Sequence, residues 1–384
     1  MWTTKLNTLD LPDLVCNTVY RSAHKTCGRQ VVAEERFEPE SLRAFGSGVL
    51  TALGVPGDDA ALVADSLVQA DLWGHSSHGL LRLPWYAARL RSGAMRAVTE
   101  PAVLTDTGPL VLLDGRDGIG QVLTDRARAL ATDRARQHGV GVVGVRNSNH
   151  FGTAMWFTRR AARDGLVAVL TTNASPAMAP WGGREKRVGT NPWSIAAPGP
   201  DGTVVALDIA NTAAARGKIY LARSRGESIP ESWALTADGA PTTDPAEGVL
   251  GVLLPMAGHK GYAIAFMMDV LSGALTGSAV GTGVHGPYEP EARSGAGHLF
   301  LALDPAAFGD RAGFDARVRQ LVDEVRSTPL AQGSDAVLTP GEVEDRAEAA
   351  HLAAGGVVLA RDALAELQRL AADAGVPLPG GVRA

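Results

Sequence analysis

Two glycine-rich stretches decide what this chain cannot be. Gly139-Val140-Gly141-Val142-Val143-Gly144 and Gly281-Thr282-Gly283-Val284-His285-Gly286 both match the pattern GxGxxG. A dinucleotide fingerprint needs its glycines between a strand and the helix that follows, so that phosphate meets the helix N-terminus. The first match follows a predicted helix and is itself a predicted strand. The second follows a helix and enters a loop that carries Pro287 and Pro290. Neither has the required order, so the chain lacks a recognisable Rossmann phosphate loop.

The periodicity nevertheless alternates helix and strand. Ser41 is read as the cap of a helix to Leu53, and Asp58 or Asp59 as the start of a second to Asp71. Leu80 to Arg91 reads as a third helix and Gln121 to Gln137 as a long fourth. Strands are expected at 110–113, 140–145, 166–172, 193–197, 204–209 and 298–303. Residues 153–163 read as helical, and 311–326 and 362–372 as amphipathic C-terminal helices. Gly261 to Gly273 is mostly apolar, which implies a helix buried on all sides. Residues 1–36 show no clear period and read as a tail.

Composition excludes several classes. The 384 residues suggest two or three lobes, and 45% hydrophobic with 20% charged residues is ordinary for a globular protein. A net charge of −5 gives no electrostatic case for nucleic acid. No apolar run is long enough to span a bilayer, and the N-terminus does not read as a signal peptide. Cys16 and Cys27 are the only cysteines, which fits a reducing cytoplasm. His75 and His78 lack a third ligand at a natural spacing, so no metal site is expected.

The chemistry concentrates in Gly74-His75-Ser76-Ser77-His78-Gly79-Leu80-Leu81-Arg82-Leu83-Pro84-Trp85-Tyr86. If this stretch is helical, His78, Arg82 and Tyr86 fall close to one face. That stripe offers a proton donor, a carboxylate clamp and a hydroxyl, the groups a reductase of 2-oxo acids needs. A polar surface face would have the same spacing.

Further segments are as distinctive. They are Asn149-His150-Phe151-Gly152, Pro180-Trp181-Gly182-Gly183 with Gly189-Thr190-Asn191-Pro192, Leu207-Asp208-Ile209-Ala210 leading to Arg216-Gly217-Lys218-Ile219, Ile229-Pro230-Glu231-Ser232-Trp233 with Pro241-Thr242-Thr243-Asp244-Pro245, and Leu254-Pro255 through His259-Lys260-Gly261-Tyr262. In this order, from about residue 38 onward, the chain resembles the type-2 malate/L-lactate dehydrogenase family. That group also holds ureidoglycolate and sulfolactate dehydrogenases and cyclic-imine 2-carboxylate reductases. The resemblance implies a non-Rossmann α/β fold with a mixed or largely antiparallel central sheet, N- and C-terminal helices forming a second lobe, and a homodimer. It implies a tail at 1–36, a helical lobe with the catalytic motif at 37–110, a cofactor-binding domain at 111–305, and C-terminal helices at 306–384 that return to the helical lobe.

The implied reaction interconverts a 2-hydroxy acid and a 2-oxo acid with NAD or NADP. Reduction of a cyclic imine 2-carboxylate is the close alternative, and a catalytically silent nucleotide-binding protein the alternative of another class. The hydride comes from the cofactor, and a side chain must supply the proton. His78 is the first candidate and His150 the rival. Arg82 should grip the substrate carboxylate, supplemented by Ser77 and Tyr86. Asp208 is read as an imidazole partner or a cofactor contact. Asn173, Thr190, Asn191, Ile209, Ala210, Lys218, Lys260, Gly341 and Glu342 complete the expected cofactor set. Lys260 stands out because a cation where a helix begins suggests a nearby anion.

Overall fold

The computed structural model describes residues 35–383. Most of the predicted tail lies outside that range. Its last residues, Glu35 and Arg36, open the Glu35–Phe37 strand.

A seven-stranded sheet forms the centre. Its strand order is Ala102–Asp106, Leu110–Asp114, Val140–Ser148, Ala296–Leu303, Val167–Thr172, Trp193–Pro198 and Val204–Ile209. Only the Leu110–Asp114 and Val140–Ser148 pair is parallel, so the sheet is largely antiparallel, as expected. The Gly120–His138 helix crosses between those two parallel strands, as a parallel connection requires. That helix and Met155–Arg163 bury Leu123, Ala127, Ala131, Phe157 and Ala161 against Val143, Leu170 and Phe300 of the sheet.

A second core lies in the helical lobe. Pro39–Ala52, Gly57–Leu72 and Leu83–Ser92 pack with the C-terminal Arg361–Ala374 helix around Leu42, Val49, Leu67, Leu80, Tyr86 and Leu367. The short strands Val357–Val358 and Val382–Arg383 flank Glu35–Phe37, so the last described strand pairs with the first. A small four-stranded sheet, Ala234–Leu235, Val252–Leu253, Pro176–Met178 and Val188–Gly189, has its own apolar cluster.

Three local expectations fail for identifiable reasons. The first helix starts at Pro39 rather than after Ser41. Proline presets the backbone there, and the Glu38 carboxylate accepts from the Glu40 and Ser41 amides at 3.0 and 2.6 Å. The predicted helix from Leu80 to Arg91 is instead a 3-10 turn, Leu80–Arg82, followed by the helix Leu83–Ser92. Another 3-10 turn, Ser76–His78, precedes it, and Gly79 between them is extended. The Leu80 amide goes to the buried Asp71 carboxylate at 2.8 Å, and Pro84 has no amide to continue a helix backward. The helix His259–Asp269 and the π-helical turn Val270–Ala274 are not buried on all sides. Phe266 and Met267 stand about half exposed.

Gly120 sets the distance between helix and active-site loop. A β-carbon there would sit 2.3 Å from the Asn149 carbonyl oxygen and 2.4 Å from that of His150, both rigid main chain. Gly120→Ala is therefore expected to cost about 1–3 kcal/mol by overpacking. Urea unfolding measures this, and an unchanged midpoint would contradict the close contact.

Candidate active site

The 3-10 turns place His78 and Arg82 on the helical lobe, and His150 comes from the loop that follows the Val140–Ser148 strand. The single-helix stripe does not exist, yet its members are brought together around His150. The His78 and His150 rings stack at 5.6 Å between centroids, inclined by 23°. The Tyr86 hydroxyl meets His150 Nδ1 at 2.7 Å, and the Gly152 amide donates to the same nitrogen at 3.3 Å. Gly152 can turn back this way because its φ is +84°. Both ring contacts engage Nδ1, so Nε2 is the free nitrogen. Gln121 Nε2 donates to the Tyr86 hydroxyl at 3.1 Å. The Ser77 hydroxyl lies 2.9 Å from His78 Nδ1.

Arg82 is the electrostatic exception. Among the described residues no carboxylate lies within 4.0 Å of it, and its Nε is buried without a hydrogen-bond partner. Its guanidinium instead lies 4.0 Å from the centre of the Trp85 ring. Burial, then the Arg82 charge and His75, hold the His78 pKa down at about 3. Burial, His78 and Arg82 likewise hold His150 well below the usual histidine range. These surroundings favour neutral imidazoles beside an unpaired cation. A bound anion would reverse that bias.

Tyr86 and Ser77 were expected to help hold the carboxylate. Their hydroxyls are instead engaged with His150 and His78, and Tyr86 is only 1% exposed. Asp208 does not touch either central histidine. It accepts from the Thr153 hydroxyl at 2.7 Å and the Met155 amide at 2.8 Å, capping the Met155–Arg163 helix, and Thr153 in turn meets His75 Nδ1 at 3.2 Å. Burial pushes the Asp208 carboxyl upward against those bonds. His75 Nε2 faces Glu344 at 3.4 Å.

The cofactor expectations converge on one strand end. Val204–Ile209 runs into Asp208, Ile209 and Ala210. The Pro340-Gly341 turn is held there by the Ala206 amide on the Pro340 carbonyl, and Thr190 accepts from the Asn211 amide. The segment before Lys260 lies alongside, with the Met256 amide on the Asn211 carbonyl. Three expected side chains are committed elsewhere. Asn173 bonds Asp269, the Ala279 carbonyl and the Gly297 amide. Asn191 bonds the Ala174 amide and the Ala265 carbonyl. Glu342 closes the Thr339 turn and pairs with Arg326. All three hold the loops in shape, with both ends of each side-chain amide or carboxylate engaged.

Lys218 and Lys260 remain available. Both are exposed in the first turns of helices whose N-termini have no side-chain cap, and neither has a carboxylate within 4.0 Å among the described residues. Uncapped amides with an adjacent cation have the donor chemistry that a diphosphate requires. This set fits a nicotinamide dinucleotide.

Sequence reading missed Gln121, Arg89 and Glu344. Arg89 is 1% exposed, bonds the Asn149 side chain, and ties the 283–295 loop down through the Glu289 and Ala292 carbonyls. Nothing local in the sequence marks these residues, because their partners lie 35 to 269 positions away.

The malate/L-lactate dehydrogenase profile matches residues 37–368. The chain belongs to that family. It is 42% identical over 309 residues to the L-sulfolactate dehydrogenase of Methanothermobacter thermautotrophicus, covering 80% of this chain and 89% of that protein. It is 41% identical over 262 residues to the (2R)-3-sulfolactate dehydrogenase (NADP(+)) of Chromohalobacter salexigens, covering 68% and 78%. Against the ureidoglycolate dehydrogenase (NAD(+)) of Escherichia coli K12 it is 36% identical over 308 residues, covering 80% and 87%. The solved sulfolactate dehydrogenase of Methanocaldococcus jannaschii superposes with a TM-score of 0.85 at 37% identity, covering 89% of this chain and 98% of that one. The protein is thus an NAD(P)-dependent dehydrogenase, and the catalytically silent alternative falls.

One pH effect follows from a histidine behind the site. His298 is 1% exposed, its ring nitrogens 2.8 Å from the Thr172 hydroxyl and 2.7 Å from that of Ser148. Burial holds its pKa at about 3, below the ordinary 6.5, so the unfolded chain binds this proton more readily. The resulting stability is complete above pH 6.5 and is lost as pH falls toward 3. Between pH 6.5 and 5.5 the native chain should lose about 1 kcal/mol more than His298→Asn. Urea melts at both pH values test this, and identical losses would contradict it.

Proposed function

We propose that the protein interconverts a 2-hydroxy acid and the corresponding 2-oxo acid, with Arg82 holding the carboxylate and His150 exchanging the proton. The observation that carries this reading is the unpaired Arg82 guanidinium beside two stacked imidazoles. A half-buried cation without a protein anion is costly, and a planar carboxylate offers it two parallel hydrogen bonds. The relatives' names, sulfolactate and ureidoglycolate, are those of 2-hydroxy acids, which supports the same assignment.

His150 is favoured over His78 because its ring is fixed from behind. Its Nδ1 is committed to Tyr86 and Gly152, which leaves Nε2 for the substrate oxygen. His78 is held only by the hydroxyl of its neighbour Ser77. Its stacked ring shields His150 from water and raises the cost of charging it.

Bound nicotinamide supplies or accepts the hydride at the substrate's second carbon. Asp208, Ile209, Ala210, the Pro340-Gly341 turn, Lys218 and Lys260 would hold it. In reduction the His150 imidazolium gives its Nε2 proton to the carbonyl oxygen as the carbon–oxygen π bond becomes a hydroxyl. In oxidation neutral His150 takes that proton back. The carboxylate at Arg82 offsets the positive charge that otherwise keeps His150 neutral.

Two copies of this chain are proposed to pair through the apolar side of the His259–Asp269 segment. Phe266, Met267, Leu275 and Val280 are each about half exposed or more there. An apolar helix face of this kind is what a second copy covers. The proposed compartment is the cytoplasm, consistent with the two cysteines of the sequence. Among the described residues no helix is long and apolar enough to cross a membrane.

His150→Ala should lower kcat by roughly 10²–10⁴ with cofactor affinity nearly unchanged. Arg82→Ala should act mainly on KM for the 2-oxo acid, raising it about 10–100-fold. Steady-state kinetics with reduced nicotinamide absorbance reads both. Undiminished turnover in the first variant, or an unchanged KM in the second, would contradict the assigned roles. Phe266→Asp should shift the native chain from dimer to monomer in light scattering, and an unshifted dimer would exclude that face.

A further inference from the structure

Gln121 has one buried atom that the resting hydrogen bonds do not use. Its side chain is fully buried, its Nε2 donates to the Tyr86 hydroxyl at 3.1 Å, and among the described residues its Oε1 has no partner. A buried amide oxygen left bare keeps its full desolvation cost, so its retention needs a reason. The residue sits in the first turn of Gly120–His138, fixed there by the contact of Gly120 with the His150 carbonyl.

The reason lies in how hydrogen atoms must rearrange when His150 changes its protonation state. In the resting arrangement Nδ1 is an acceptor from the Gly152 amide, so Tyr86 also donates to it. The proton then sits on Nε2. Proton exchange with substrate at Nε2 needs a different setting. The imidazolium that donates in reduction carries a hydrogen on Nδ1 as well, and so does the neutral ring left behind. Oxidation begins from that same neutral ring. In both forms Nδ1 donates to the Tyr86 oxygen, the longer Gly152 amide contact gives way, and the Tyr86 hydrogen must turn elsewhere. Among the described residues the only other hydrogen-bond contact at that hydroxyl is the Gln121 amide. An amide can meet either setting, with its N–H group in one and its carbonyl in the other.

We propose that Gln121 is a positioning residue that acts through Tyr86, its carbonyl accepting the Tyr86 hydroxyl whenever His150 carries a proton on Nδ1. This rests on the role given to His150 above. No proton leaves Tyr86 in the step. The hydroxyl turns, and the proton that moves to substrate is the one on Nε2. The groups facing His150 are His78 from the 3-10 turn, Arg82 from the next, Tyr86 and Arg89 from the Leu83–Ser92 helix, and His298 from the Ala296–Leu303 strand. Every charge among them opposes an imidazolium, so an acceptor at the end of the relay has a measurable effect.

The test compares Gln121→Met with Gln121→Glu in the full chain. Methionine matches the length of glutamine but offers no acceptor for the hydroxyl. Glutamate keeps an acceptor whether ionised or protonated. Nitrogen NMR of histidine-labelled protein reads the His150 tautomer and pKa directly, and the pH profile of kcat reads its use. Gln121→Met should lower the His150 pKa by about one unit and kcat for reduction about tenfold, with KM within twofold. Gln121→Glu should keep kcat within about threefold and leave the pKa equal or higher. A packing role predicts the opposite order, because methionine is the easier residue to bury. A wild-type His150 pKa and pH profile in Gln121→Met would overturn the proposal. If both variants fail to fold, Tyr86→Phe must alter the His150 Nδ1 signal, and an unaltered signal overturns it. If the parent chain turns over no 2-oxo or 2-hydroxy acid, the proposed function fails, while the NMR comparison still decides the relay.

Discussion

The hydrogen bond between the Tyr86 hydroxyl and His150 Nδ1 joins the parts of this molecule that matter for its chemistry. Tyr86 belongs to the helical lobe, His150 to a loop of the central sheet, and Gln121 to the helix that covers that sheet. Two apolar cores stand behind these elements, one in the helical lobe and one shared by the sheet and its covering helix. Packing fixes the lobes to within the tolerance of close-packed side chains, and the buried polar contact then sets the orientation of one imidazole. Arg89 strengthens the same junction, since its guanidinium reaches both the Asn149 side chain and the 283–295 loop.

Around that junction the electrostatics are deliberately incomplete. The structure gathers two stacked imidazoles and a guanidinium with no carboxylate beside them. Asp208, the nearest expected counter-charge, is committed to Thr153 and Met155 and lies behind His75. A site that is cationic by default and half withdrawn from water has most to gain from an anionic ligand. A second place with donor chemistry for an anion is where Lys218 and Lys260 stand at two uncapped helix starts, the cofactor side in the proposed reading.

Much of this was legible in the sequence. His78, Arg82, Tyr86, His150 and Asp208 announced themselves through residue type, spacing and family resemblance. The largely antiparallel sheet was implied by the family resemblance, in agreement with the rejection of both glycine patterns, and the 204–209 and 311–326 elements fall where periodicity placed them. What failed were inferences that depended on partners remote in sequence. A continuous helix through Arg82 was reasonable from spacing, but Asp71 takes the Leu80 amide and Pro84 blocks the join. Asn173 and Asn191 have the groups a nicotinamide ring would need, yet those groups stabilise loops. Gln121 and Arg89 carry no motif, and only the folded chain shows what they touch. A helix apolar on every side reads the same whether its neighbours are in its own chain or in another copy.

The central claim is that the missing partner of Arg82 is the carboxylate of the substrate. It is tested most directly by comparing kcat/KM for a 2-oxo acid that the enzyme reduces with kcat/KM for the amide of that acid, at one pH and with the same cofactor. Loss of a charge-assisted, two-pronged contact should favour the acid by roughly 100-fold. Equal values for acid and amide would show that the guanidinium serves something else.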